Sequence, residues 1–304
     1  MKKYFKFLLV AFMISGIVII SCNKKEANKS EIDQITSGKA TILIDESLLP
    51  IIEDEVAVFE NKYDAKFTLN PLSETEAVLA LTQKKADILI LSRKLNAQEE
   101  AFLKNKKVTP KVTKFATDGI ALVKSKKSKD TLIDLKDIVD FINGKQNGIK
   151  GLVFDNPNSS TVRYFKELAK VDALPEKGIF SFKTNNEVLK YVEQNEGLIG
   201  IVGLNWLTQP VGEMHDVVDN IKALSVKNSE NKYVSPNQDN IASEKYPLAR
   251  DLYIINCQGY QGLGIGLAAF VEGEIGQRII LKSGLVPVKI PGRNIVIRNQ
   301  IEKK

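Results

Sequence analysis

Asn158, Ser159, Ser160 and Thr161 follow an apolar strand end, Leu152–Phe154, and a polar turn, and they open an amphipathic helix. The first N–H groups of a helix have no partner within it, and the aligned peptide dipoles leave partial positive charge there. Short hydroxyl and amide side chains add donors, so the segment reads as a seat for an oxyanion that needs no cation. A plainer reading is also open, with Asn158 or Ser159 as an ordinary N-cap. Other polar residues stand where strands are expected to end: Glu46-Ser47 after Thr41–Ile44, and Ser92-Arg93 after Ala86–Leu91. Open α/β sheets bind ligands at that edge, and groups converging from separate strands would suit a small tetrahedral oxyanion.

Enzymatic chemistry finds little support. His215 is the sole histidine, in the loop-like stretch Gly212–Asp216, with no nucleophile or metal set to pair with it. Asn143-Gly144-Lys145-Gln146 lacks the spacing and the hydroxyl of a phosphate-transferring P-loop. The acids Asp45/Glu46 and Glu53/Asp54/Glu55 read as complements to a helix dipole rather than as a cation site or an acid–base pair. No metal and no cofactor are expected.

The elements that must position these groups follow from periodicity. Thr41–Ile44, Phe67–Asn70 and Ala86–Leu91 read as strands, separated by helical patterns over Ile51–Tyr63 and Glu74–Lys84, a βαβαβ series. Leu132–Asn143 reads as a helix. Gly197–Gly203, Ala223–Lys227 and Leu252–Cys257 read as later strands. The content, 43% hydrophobic and 26% charged over 304 residues, is that of a globular α/β protein of one large domain or two lobes.

The N-terminus is of another kind. Lys2, Lys3 and Lys6 precede a 14-residue apolar run, Phe7 to Ile20, too short to span a bilayer but right for a signal-peptide core. The run closes on Ser21-Cys22, which resembles the lipobox of bacterial lipoproteins, so residues 1–21 are expected to be removed and Cys22 lipidated. Removal takes away three lysines and no acid, so the formal net charge falls from +6 to +3 and a nucleic-acid surface loses most of its support. Residues 22–38, counting the lipidated cysteine, are polar and charged and read as a tether. Cys257 is then the only thiol of the folded part, so no internal disulfide is expected, and its apolar neighbours suggest a buried strand cysteine.

Six stretches carry a resemblance: Asp87–Leu95, Thr117–Val123, Asn158–Phe165, Gly197–Gly203, Tyr246–Tyr253, and Gly276-Gln277 with Gly284–Pro287. In these, and in their order, the chain resembles the PstS-like phosphate-binding proteins of bacterial ABC phosphate importers, within the class II periplasmic binding protein family. The resemblance implies an α/β, two-lobed fold. Each lobe would be a mixed, mainly parallel sheet flanked by helices, with the ligand cleft between them. It passes phosphate contacts to Ser92, to Ser159, Ser160 and Thr161, and to Asp118, which has the alternative of forming a turn with Gly119. The family's hydroxyl-rich first loop is Asp45-Glu46-Ser47 here, which keeps one hydroxyl and adds two carboxylates. The family's Arg falls on Asp155, so Arg93 or Arg163 is a candidate for the missing charge; the alternatives are a solvated strand end and a helix surface residue.

The expected site is therefore Ser47, Ser92, Arg93, Asp118, Asn158, Ser159, Ser160 and Thr161. Lobe 1 is expected over 39–123 and 219–304, lobe 2 over 124–218, with Trp206 at the hinge or packing between lobes. The resemblance implies a monomeric, extracytoplasmic lipoprotein in the cell envelope or periplasm that captures phosphate by hinge closure for an ABC permease and ATPase. Its only membrane contact would be the lipid anchor. The alternative is a lipid-anchored sensor or interaction protein of the same fold.

Overall fold

The computed structural model describes residues 32–292, so the signal-peptide and Cys22 expectations lie outside the described residues. Thirteen strands are described: β1 (Ser37–Asp45), β2 (Asp64–Leu72), β3 (Ile88–Leu91), β4 (Lys111–Ser125), β5 (Leu132–Ile133), β6 (Leu152–Phe154), β7 (Ile179–Ser181), β8 (Ile199–Gly203), β9 (Ile221–Ala223), β10 (Ser225–Lys227), β11 (Tyr233–Val234), β12 (Ala249–Asn256) and β13 (Val286–Pro287). Ten form one mixed sheet in the order β2-β1-β3-β12-β4-β8-β6-β7, with β9 and β13 also paired to β4; β11-β10-β5 make a small second sheet.

The βαβαβ series expected at the start is present: β1 pairs in parallel with both β2 and β3. A second parallel group, β8-β6-β7, lies at the other end. Two antiparallel strands join them. β4 is the longest, and its first part pairs with β12 while its last part, Ile120–Val123, pairs with β8.

Packing divides the molecule at the same place. Ile42, Ile44, Ile88, Ile90, Phe115, Ala116, Leu252 and Ile254 share one core with Leu263–Leu285, beside a smaller cluster around Leu43, Leu89 and Ile255. Ile120–Val123, Leu152–Phe154, Ile199, Ile201 and Val202 share another. Both cores are apolar on all sides, as strands covered on two faces require. Residues 221–248 contribute Ile221, Leu224, Val226, Ile241, Tyr246 and Leu248 to this second core. The change from one core to the other therefore falls between Ala116 and Ile120 on β4, and between Leu248, just before β12, and Leu252 on it.

Local differences from the sequence expectations have simple causes. The helix expected from Leu132 begins at Leu135, because Asp134 caps it with a bond from Lys136 N and Leu132–Ile133 pair with β10 instead. The strand expected over Ala223–Lys227 is two, β9 and β10, which belong to different sheets. Asp118-Gly119 forms no turn; it lies inside β4. The end of the expected tether is docked: the buried Asp33 carboxylate accepts from Gln258 Nε2 at 3.1 Å, from Tyr260 and from the N–H of Leu263 at the start of a helix. Cys257 is buried, and burial pushes its thiol up to about 11. No helix among the described residues is long and apolar enough to cross a membrane.

Candidate functional site

Where the two cores meet, β4 and β12 present a register pair, Asp118 opposite Arg250. Arg250 Nη2 and Nε lie 2.9 and 3.1 Å from Asp118 Oδ2, and both side chains are almost wholly buried. The rest of the guanidinium reaches both halves of the molecule: Nη2 donates to Ser47 Oγ at 3.1 Å and Nη1 to Ser160 Oγ at 2.9 Å. The two hydroxyl oxygens are themselves 3.2 Å apart. Ser47 follows β1; Ser160 opens the helix Ser160–Ala169 that follows β6. One cation thus ties together the carboxyl ends of strands from each half.

The local sequence explains the turn. Ser159 is the N-cap, its Oγ accepting from Val162 N at 3.3 Å. The Ser159 and Thr161 hydroxyls both donate to Asp155 Oδ1, each at 2.5 Å. A hydroxyl has one hydrogen to give, so with both committed to Asp155, Ser160 is the hydroxyl of the turn whose hydrogen is not held by that carboxylate. On the other side Asp45 caps Glu46–Leu48, accepting from Ser47 N at 3.2 Å and Ser47 Oγ at 3.0 Å. Glu46 accepts from Asn185 Nδ2 at 2.6 Å, and the same amide lies 3.3 Å from Asp155 Oδ2. Trp206 Nε1 donates to the Ser47 carbonyl at 2.9 Å. Gly203 ends β8 where a Cβ would meet Asn205 Oδ1 at 2.6 Å and the Ser47 carbonyl at 3.1 Å, so any larger residue would have to displace the Asn205 side chain and crowd that carbonyl.

The electrostatics are unusual for an anion seat. Asp45, Asp118 and Asp155 all feel one arginine, Arg250, and Glu46 lies beside Asp155. Burial raises the pKa of Asp45 and of Asp118, with Arg250 pulling each back down. Burial pushes Asp155 up to about 6 against the bonds from Ser159 and Thr161. Burial and the neighbouring Asp155 push Glu46 up to about 8, so it keeps its proton at neutral pH. Asp45 Oδ2, Asp118 Oδ1, Ser92 Oγ, Asn185 Oδ1 and both amide atoms of Asn205 are buried without a hydrogen-bond partner among the described residues. Buried polar atoms of this kind call for a ligand or ordered water.

Of the expected residues, Ser47, Asp118 and Ser160 meet directly at Arg250, while the Ser159 and Thr161 hydroxyls are held by Asp155, which the Asn185 amide links to Glu46. Ser92 is buried at the end of β3, level with Glu46 by the register of Ile44 on Ile90. Asn158 is exposed, and its carbonyl accepts from Thr75 N and Oγ1, each at 3.3 Å. Arg93 is apart from the cluster, paired with Glu74 and Glu99; Arg163 is paired with Glu74 and Glu167. The cation at the centre is Arg250, which sequence reasoning did not single out. Its signal was available: Arg250-Asp251 is a charged pair inside an otherwise apolar strand, and a charge there must find a buried partner. His215 is exposed on a short helix, and no group of three or more His, Cys, Asp or Glu among the described residues is placed to hold a metal.

The model of the PBP superfamily domain matches residues 29–272. No curated protein matches the chain. Among solved structures, a protein described as a phosphate ABC transporter substrate-binding protein with bound phosphate, from Clostridium perfringens, superposes with a TM-score of 0.69 at 22% identity, covering 83% of this chain and 100% of that one. An ABC-type phosphate transport receptor from Vibrio cholerae gives 0.62 at 18% identity, covering 82% and 100%. The CcmR regulatory domain of Synechocystis PCC6803, in complex with 2-PG, gives 0.51 at 12% identity, covering 74% and 90%. At these identities the structures speak for the fold, a mixed α/β fold shared by transport receptors and regulatory domains. With the family model spanning most of its length, the chain belongs to the periplasmic binding protein (PBP) superfamily.

Proposed function

We propose that the chain is an extracytoplasmic substrate-binding protein that captures inorganic phosphate, or a closely similar tetrahedral oxyanion, for an ABC-type importer, and not an enzyme. The observation that carries this reading is the convergence of Ser47 and Ser160, one from each half, on the Arg250 guanidinium. A cation, the Ser160 hydroxyl, a Ser47 hydroxyl that would have to turn from Asp45 to the ligand, and a helix start together make an oxyanion seat. The two lobes would be about residues 39–119 with 249–292, and 120–248, turning about β4 and β12; closure would bring Ser47 and Ser160 onto one ligand. The Ser21-Cys22 pattern supports lipid anchoring in the cell envelope, with the binding unit acting as a monomer. The C. perfringens and V. cholerae proteins support the choice of phosphate.

Selectivity would come from Asp118. Its unpartnered, buried Oδ1 can accept from a P–O–H group but only repels fully ionised sulfate. Calorimetric titration of residues 23–304 with phosphate and with sulfate tests the reading. Phosphate should bind, sulfate should not, and Ser160→Ala should weaken phosphate about tenfold or more, the loss of one charge-assisted contact. Silence toward both anions overturns it. The crowd of carboxylates around Arg250 favours a second reading, a sensor of the same fold with another ligand, and that outcome would promote it.

A further inference from the structure

The contacts that join the two halves are of two kinds. At the centre Arg250 reaches Ser47 and Ser160. At the rim Glu74 opens the helix Glu74–Thr82 of the first half, with a side chain only 3% exposed. Its Oε1 accepts from Arg93 Nε at 2.8 Å and from Arg163 Nε at 2.8 Å. Arg93 follows β3, in the same half as Glu74. Arg163 lies on the helix that carries Ser160 and Thr161, in the other half. Beside this pair, Thr75 donates twice to the Asn158 carbonyl, again from one half to the other.

We propose that Glu74 is a positioning residue for ligand capture: a clasp that accepts Arg163 when the halves close and releases it when they part. The proposal rests on the oxyanion-receptor reading above. What makes the clasp reversible is the second partner of each arginine. Arg93 holds Glu99 through two N–H groups at 2.7 and 2.9 Å, and Arg163 holds Glu167 at 2.9 and 3.1 Å. When Glu74 and Arg163 separate, Glu74 keeps Arg93 and Arg163 keeps Glu167. Breaking a buried ion pair is costly mainly because it strands a charge, and here none is stranded. The clasp also acts on the right element. Arg163 lies three residues beyond Ser160 on the same helix, so holding Arg163 holds the turn that faces Ser47.

The test uses residues 23–304 with Arg163→Gln, Glu74→Gln and the double variant, read by phosphate calorimetry and by small-angle scattering without phosphate. Each single substitution should weaken phosphate about tenfold, and the double variant no more than either single, because both remove one contact. Arg163→Gln, which leaves the Glu74–Arg93 pair intact, should enlarge the radius of gyration without lowering the Tm. If Arg163→Gln binds phosphate as the parent does and scatters identically, or if the single effects simply add, the clasp is overturned while the receptor reading stands. If the parent chain binds no phosphate, the receptor reading fails and scattering decides the clasp alone: expansion in Arg163→Gln supports it, an unchanged radius overturns it.

Discussion

The Asp118–Arg250 and Glu74–Arg163 pairs are both ion pairs at the junction of two cores, yet they are built for opposite tasks. Asp118 and Arg250 sit on the two strands that pass from one core to the other, so a rotation about those strands leaves them together. Both are buried and neither has another charged partner at hydrogen-bonding distance among the described residues, so their separation would strand two charges. Glu74 and Arg163 sit in the first turns of two helices, one in each half and neither on those strands, and each keeps a second partner. Position relative to the crossing strands, and the number of spare partners, distinguish a pivot from a clasp.

The largest effect is expected at the Asp118–Arg250 pair. Arg250→Met should cost about 3–5 kcal/mol of folding stability, the loss expected when a buried carboxylate is left unpaired, and should abolish phosphate binding. Denaturant unfolding checks it. Adding Asp118→Asn should recover most of the stability and none of the binding; a double variant as unstable as the single would show that Asp118 is not the group left stranded.

Protonation comes next. Burial and the neighbouring Asp155 push the Glu46 carboxyl from its ordinary 4.5 up to about 8 in the folded chain. The folded state therefore holds this proton more tightly than the unfolded chain does. Its contribution is complete below about pH 4.5 and is lost as pH rises through about 8. Glu46→Gln should remove that decline, so thermal unfolding at about pH 6 and about pH 9 should show the variant gaining on the parent at the higher pH. Asp155, pushed up from 3.8 to about 6, declines in the same direction, but its contribution is lost as pH rises through about 6, so the interval from about pH 6 to about pH 9 reads mainly Glu46.

Smaller effects separate side-chain from backbone contacts. Trp206→Phe removes the N–H to the Ser47 carbonyl and should cost about 1 kcal/mol in chemical denaturation, with weakened phosphate binding. Asn158→Ala should change stability by less than about 0.5 kcal/mol and leave phosphate affinity as it was, since its contact across the junction is made by the carbonyl. A large loss in Asn158→Ala would return its side chain to the site.

What could be read from the chain was local. Ser159 to Thr161 could be placed at a helix start because capping depends on residues a few positions apart, and the first three strands could be placed because each alternates with its helix. Arg250 escaped because its partner is 132 positions away and becomes a neighbour only through β-register. Arg93 and Arg163 were candidates for the central charge because each lies near a candidate hydroxyl in sequence; Glu74, one turn of chain away from either only in space, draws them to the rim. Asp155 was visible as a missing arginine, but not as the acceptor that holds two hydroxyls of the same turn.

The α/β alternation and the helix start at Ser160 were legible in the chain, because hydrophobic period and capping are set by near neighbours; the family came from the resemblance of six stretches in their order. Which arginine stands beside Ser47 and Ser160, and which pair with Glu74, was set by the folding of distant segments together. That choice depends on where two distant strands cross, since burial makes a lone charge intolerable and leaves it to the fold to supply the partner.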